Sequence, residues 1–179
     1  MNTDIMTELI ARVISMDFKS IDDIKNAGFV GFKKISSLIS NNCKCVPKEK
    51  GVYMVLINKK HDFLKESTGG HFKGKNPTVP VQKLKSNWVE NTVVLYIGKA
   101  GGIRSKATLN SRLKQYVSFG SGKPVGHWGG RLIWQLSNNN DFIICWKETP
   151  NESPEELEKQ LIADFESKYY KIPFANLKR

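Results

Sequence analysis

Along the chain, apolar positions recur first at helical spacing and then in unbroken runs. Ile5, Leu9, Val13 and Ile14 recur at the spacing of one helical face. So do Ile21 and Ile24, and then Ile35, Leu38 and Ile39, so this part of the chain is expected to form short helices. Gly28 and Gly31 interrupt the series and predict a turn between helices. Lys48-Glu49-Lys50-Gly51 is a second turn. Val52-Tyr53-Met54-Val55-Leu56-Ile57 has no polar position, the pattern of a central strand covered on both faces.

Residues 58–91 carry Gly69, Gly70, Gly74, Pro77 and Pro80 among many lysines, and predict a long excursion or small subelement. Thr92 to Ile97 reads as a second central strand, and Lys99 to Arg104 as a glycine-rich loop. A helix capped by Thr108 follows, with Leu109, Leu113, Tyr116 and Val117 on its buried stripe. A glycine-rich stretch from Gly120 to Gly130 precedes a short helix at Leu132–Leu136 and a third strand over Asp141–Lys147. Ser153, Pro154 and Glu156 announce a last helix that runs to about Tyr169, with Pro173 beyond it. The expectation is an α+β fold: a small three-stranded mixed or antiparallel sheet flanked by helices. A helical N-terminal extension over residues 1–47 precedes a domain over 48–179, with a basic insert at 58–91 between the first two strands.

Charge changes the picture more than composition does. The 179 residues hold 28 Lys and Arg against 17 Asp and Glu, a formal net charge of +11. Lys44 to Lys114 contains 15 of the basic and only 4 of the acidic residues, so the whole excess lies on one contiguous segment. Such an imbalance attracts a polyanion. Asp4, Glu8, Arg12 and Asp17 interrupt the first apolar groups, so a signal peptide is not expected there, and no apolar run has membrane-spanning length. Cys43, Cys45 and Cys145 lack the spacing and companion histidines of a zinc site, and read as ordinary thiols of a reducing cytoplasm.

Two helical positions carry charge where apolar residues would be expected. Arg112 lies at or beside the stripe of Leu109, Leu113 and Tyr116, and needs either a route to solvent or an anion; its five-donor fork suits a phosphate. Glu158 opens the stripe continued by Leu161, Ile162, Phe165 and Tyr169. A carboxylate there pairs with a base such as Arg112 or binds a hard divalent cation. Tyr53 and Tyr96, one in each of the first two strands, are by themselves more typical of a core than of a site. His127, in Gly126-His127-Trp128-Gly129-Gly130-Arg131, either packs against Trp128 or moves protons.

Taken in order, Gly51-Val52-Tyr53, Tyr96-Ile97-Gly98, Arg112 with its following turn, and Leu157-Glu158-Lys159-Gln160-Leu161-Ile162 resemble the core of the GIY-YIG nuclease superfamily over about residues 50–176. That family is known for a three-stranded sheet and for cutting DNA as homing endonucleases, restriction enzymes, repair incision subunits and junction resolvases. The chain departs from it in the long stretch between the two tyrosines, in extra residues around Gly101-Gly102 and Lys106, and in having Tyr116 where a histidine is often found. The resemblance implies a Mg²⁺- or Mn²⁺-dependent endonuclease. In it Tyr53 takes a proton from the attacking water, Tyr96 holds water or phosphate, and Arg112 opposes transition-state charge. Glu158 holds the metal, and the final motif position falls to Asn176 or Tyr170, with the amide-bearing Asn176 the better match. Lys99, Arg104, Lys106, Lys114, His127 and Arg131 are the expected nucleic-acid contacts, and the lysines of the insert grip the backbone without reading sequence. DNA is the first expected substrate and RNA the second. A homodimer, or a subunit of a restriction or repair assembly, fits the same pattern, and so does a catalytically silent nucleic-acid-binding module.

Overall fold

A computed structural model describes residues 16–177; the expected helix of Ile5, Leu9, Val13 and Ile14 lies outside the described residues. Ser20 caps α1 (Ile21–Asn26) in a box closed by Asp23. β1 (Val30–Lys34) and α2 (Ile35–Ser40) follow, and then β2 (Gly51–Leu56), in which every position is buried. The insert contributes α3 (Val81–Asn87). β3 (Val94–Ala100) leads to α4 (Leu109–Gly120), where Thr108 and Ser111 form a reciprocal cap. Short 3-10 turns at Arg131–Gln135 and Asn139–Asp141 precede β4 (Ile143–Glu148). α5 (Pro154–Tyr169) has Ser153 as its N-cap and Pro154 in its first turn, so its start was fully written in the sequence.

The sheet has four strands in the order β1-β4-β2-β3, all antiparallel, and this corrects the expected three-stranded sheet. The missing strand is β1, inside the stretch expected to be purely helical. Two features hid it. Val30-Gly31-Phe32-Lys33-Lys34 does not alternate, because its register with β4 slips between Val30 and Lys33 and Phe32 adopts a φ of 45°. Gly31, which reads as a breaker, leaves the space occupied by Trp146: a Cβ there would stand 2.5 Å from the indole. A second correction concerns β3. It is not central but lies at the sheet edge, beside the fully buried β2.

Each sheet face is covered. Tyr53, Val55 and Tyr96 join the side chains of α2 and α4, Trp134 and Phe174 in one core. Val52, Met54, Leu56 and Ile97 join α1 and the apolar stripe of α5 in the other. The insert is fastened to the first of these layers by Gln135. This fully buried amide donates to the carbonyls of Leu64 (3.0 Å) and Val79 (2.7 Å) and accepts from Val79 N–H (2.9 Å).

The outer edge of β3 is closed by the chain's own last described segment. Ala175 N–H donates to Leu95 carbonyl at 2.8 Å. The Asn176 side chain then pairs both backbone groups of Ile97, accepting from its N–H at 3.0 Å and donating to its carbonyl at 2.9 Å. An edge strand left bare would invite pairing with another chain. Here the amide reproduces one rung of a ladder and then stops, just before Gly98 and Lys99.

Candidate functional site

Where that cover stops, a cleft of about 620 Å³ opens between the two layers. It is lined by Tyr96 and Trp128 from one face, by Glu155 and Glu158 of α5 from the other, and by Lys99 and Asn176 at the edge. The topology puts these groups together. β3 supplies Tyr96 and Lys99 three residues apart, and α5 crosses behind it with its first two turns at the cleft mouth.

Gly98 is what lets the aromatic side of the site form. It faces Tyr53 across the β2–β3 ladder. A Cβ on it would stand 2.7 Å from Tyr53 Cζ and 2.8 Å from Tyr96 Cε1, so both rings close over a position that only glycine leaves vacant. The rings meet edge to face, with centroids 5.9 Å apart. Tyr116 lies against both, at 6.3 Å from Tyr53 and 6.1 Å from Tyr96, and donates its hydroxyl to Gly130 carbonyl at 3.3 Å.

The two motif tyrosines differ in access. Tyr53 is completely buried, and its hydroxyl stands 3.5 Å from Nε2 of His127, which is also completely buried. Burial drives the Tyr53 phenol well above the ordinary tyrosine range, more strongly than the nearby Arg112 cation can lower it. Tyr96 is 7% exposed and lines the cleft. Burial first, and then the negative charge of Glu158, push it up to about 12, whereas the hydrogen-bonding Tyr53 hydroxyl and Arg112 pull the other way. Burial and the Arg112 charge hold His127 down at about 3, so its ring is neutral at physiological pH. With no surface of its own, His127 packs behind the tyrosines, its ring 4.7 Å from that of Tyr116, and does not reach a ligand in the cleft.

Among the charged residues, Glu158 stands apart. Its neighbour Glu155, one turn earlier, is bound by Lys99 at 3.3 Å and Lys159 at 3.6 Å, which hold its carboxyl below the usual carboxylate range. Glu158 makes no hydrogen bond or ion pair among the described residues, and partial burial raises its pKa against the opposing pull of Lys99. Arg112 is half-buried and donates to Gln115 Oε1 at 3.3 Å. Its positive charge is felt at Tyr53, Tyr96, His127 and Glu158, but Arg112 is not among the residues that line the cleft.

The remaining expected residues divide. Lys99 and Asn176 line the cleft, with the Asn176 amide fully engaged by Ile97. Tyr170, the alternative to Asn176, is 90% exposed at the C-cap of α5. Arg131 stacks its guanidinium 4.5 Å from the Trp128 ring, with Nε and Nη1 buried and unpartnered. Arg104 and Lys106 project from the turn after β3 and are exposed. Lys114 acts on the Cys43 thiol, on the flank of α4 whose Asn110 donates to Cys43 and Val46 carbonyls, away from the cleft lining. Sequence reasoning passed over Glu155, which lies off the apolar stripe, yet its spacing of three from Glu158 already puts both carboxylates on one helical flank.

For a divalent ion, the donor set is sparse. Among the described residues no three His, Cys, Asp or Glu side chains converge. A hydrated Mg²⁺ needs only one or two protein carboxylates beside substrate phosphate, and an unpartnered, half-buried Glu158 on a cleft wall meets that requirement. The three cysteines are free, with Cys43 and Cys145 buried, and no described helix is long and apolar enough to cross a membrane. Comparison with models of protein families, with curated proteins and with solved structures finds no match for this chain.

Proposed function

We propose that the cleft at the β3 edge is the active site of an endonuclease that hydrolyses phosphodiester bonds, with DNA as its first substrate, along the lines that the GIY-YIG resemblance implies. The observation that carries this reading is Glu158: a carboxylate without a hydrogen bond or ion pair among the described residues, facing the same cleft as Tyr96 and within the field of Arg112. A half-buried unpaired carboxylate is costly to keep unless a ligand completes it.

In this scheme Arg112 binds non-bridging phosphate oxygens and opposes the charge that grows on them in the transition state. Glu158 would hold a Mg²⁺ or Mn²⁺ ion, which supplies charge neutralisation at the departing oxygen. Tyr96, and not the wholly buried Tyr53, is the phenol that meets the attacking water. Tyr53 packs edge to face behind Tyr96, and its hydroxyl opposes the rise of the Tyr96 pKa. Tyr53, His127 and Tyr116 then act as positioning residues. The lysine excess draws the polyanion in, and a reducing, cytoplasmic setting suits the free thiols.

The test is incubation of the full chain with plasmid and branched DNA and Mg²⁺ or Mn²⁺, beside Glu158→Gln. The wild type should nick and the variant should lose at least about 10³-fold in rate. Equal rates, or no cleavage in either, would overturn the enzyme reading. DNA binding that falls with salt but never leads to cleavage would assign the chain to the silent binding modules instead. Failure on an all-deoxy strand, with cleavage of the matching ribo strand, would transfer the activity to RNA.

A further inference from the structure

The connection between β3 and α4 is built as a stiff, projecting turn, and it carries an apolar tip. Gly101 and Gly102, with φ of 87° and 131°, reverse the chain, and a bridge pairs Gly102 with Ser105, whose N–H donates back to Gly102 carbonyl at 3.2 Å. Ala107 N–H donates to Ser105 Oγ at 3.3 Å, and the first residue of α4, Leu109, donates to Glu49 carbonyl at 2.8 Å. The base of the turn is thereby fixed to the loop before β2.

At its tip Ile103 is 99% exposed; among the exposed aliphatic side chains the next is Val30 at 52%. Arg104 and Lys106 stand beside it, both exposed. The turn rises from the rim of the cleft, since a Cβ on Gly102 would come within 3.8 Å of Lys99 Nζ and 3.9 Å of Glu155 Oε2.

Three features together define what this tip can bind. A lone aliphatic group is too small to hold a protein partner, and its neighbours Arg104, Ser105 and Lys106 give no contiguous apolar patch. One inserted side chain likewise holds no membrane. An aliphatic side chain on a rigid turn, with cations on its shoulders, has the form of a wedge that enters between base pairs while the cations hold the flanking phosphates. We propose that Ile103 is such a wedge: it unstacks one base step of a duplex whose backbone lies in the adjoining cleft. The proposal rests on the nucleic-acid reading above and adds an element that deforms the substrate beside the scissile bond.

The test uses the full chain with EDTA present, so that binding is read without cleavage, and duplexes carrying 2-aminopurine at successive steps. Wild-type protein should raise the fluorescence of the probe severalfold at one or two steps. Ile103→Ala should abolish that rise and weaken binding by about tenfold, the loss of two or so buried methylenes. Arg104→Ala should weaken binding and reduce its salt dependence while the fluorescence rise at saturation remains. Salt-dependent binding with no fluorescence change in wild type, or an unchanged rise in Ile103→Ala, would overturn the wedge and leave the nuclease reading intact. Absence of any duplex binding at low salt would overturn both. A concentration-dependent increase in molecular mass that Ile103→Ala removes, with DNA binding untouched, would assign the side chain to contact with a second copy and also overturn the wedge.

Discussion

Two regions only one side chain apart behave in opposite ways. Behind the sheet edge, Tyr53, Tyr116 and His127 form an interior of rings with no access to solvent, each hydroxyl satisfied or nearly so by a neighbour. In front of it, Tyr96, Lys99 and Glu158 face an open cleft, and Glu158 makes no hydrogen bond or ion pair among the described residues. Both regions have shifted titrations, and in both the main cause is burial. A perturbed pKa therefore does not mark the site here; perturbation combined with access does.

The sharpest way to break that comparison is to remove one hydroxyl at a time. Tyr96→Phe should lower the cleavage rate by about 100-fold, the usual worth of a positioned proton acceptor. Tyr53→Phe should cost less, about tenfold, because it removes a buried hydroxyl behind Tyr96 and not the phenol at the cleft. Single-turnover rates at saturating DNA would check this. A larger loss from Tyr53→Phe than from Tyr96→Phe would invert the assignment and make the buried phenol the reacting one.

The pH profile sharpens the same point. With Tyr96 held at about 12, its phenolate fraction rises tenfold for each pH unit between 7 and 9. The rate should rise with a slope near one over that window and flatten in Tyr96→Phe. The fold survives the window, because a tyrosine raised on folding contributes stability below its ordinary pKa of about 10 and loses it only as pH climbs through about 12. Glu158 has the same sign: its raised pKa means that folding favours the protonated form, and this contribution disappears as pH rises through the raised value. Glu158→Gln should therefore abolish cleavage without lowering the thermal midpoint at pH 7, a combination that separates a ligand-binding carboxylate from a structural one.

Much of this arrangement could be read from the sequence, and the parts that could not share a cause. α4 and α5 were legible because their caps are local: Thr108 and Ser153 each bond a backbone N–H three residues on, and the apolar stripes follow from them. Glu158 was legible as a charge that opens such a stripe. β1 was not, because its existence depends on Trp146, more than a hundred residues away, filling the space over Gly31. Nor was the edge position of β3. An apolar run reads as central whether a strand covers its edge or, as here, Ala175 and Asn176 do. The difference in access between Tyr53 and Tyr96 is likewise invisible in one dimension, since both occupy the same face of neighbouring strands.

Asn176 allows the finest division between the two regions, because it belongs to both. It lines the cleft beside Glu158, yet its amide oxygen and nitrogen are already committed to Ile97 N–H and carbonyl. If the brace is its whole role, Asn176→Ala leaves two nearly buried backbone groups unpaired at the sheet edge. That should cost about 1–3 kcal/mol, or a fall of several degrees in thermal midpoint for a chain of this size. Cleavage assayed well below the new midpoint should then stay within a few-fold of wild type, and amide exchange should accelerate first at Leu95 and Ile97. A variant that keeps its midpoint but loses cleavage by 100-fold would show the opposite: that the amide leaves Ile97 when substrate arrives, and that the edge brace belongs to the chemistry after all.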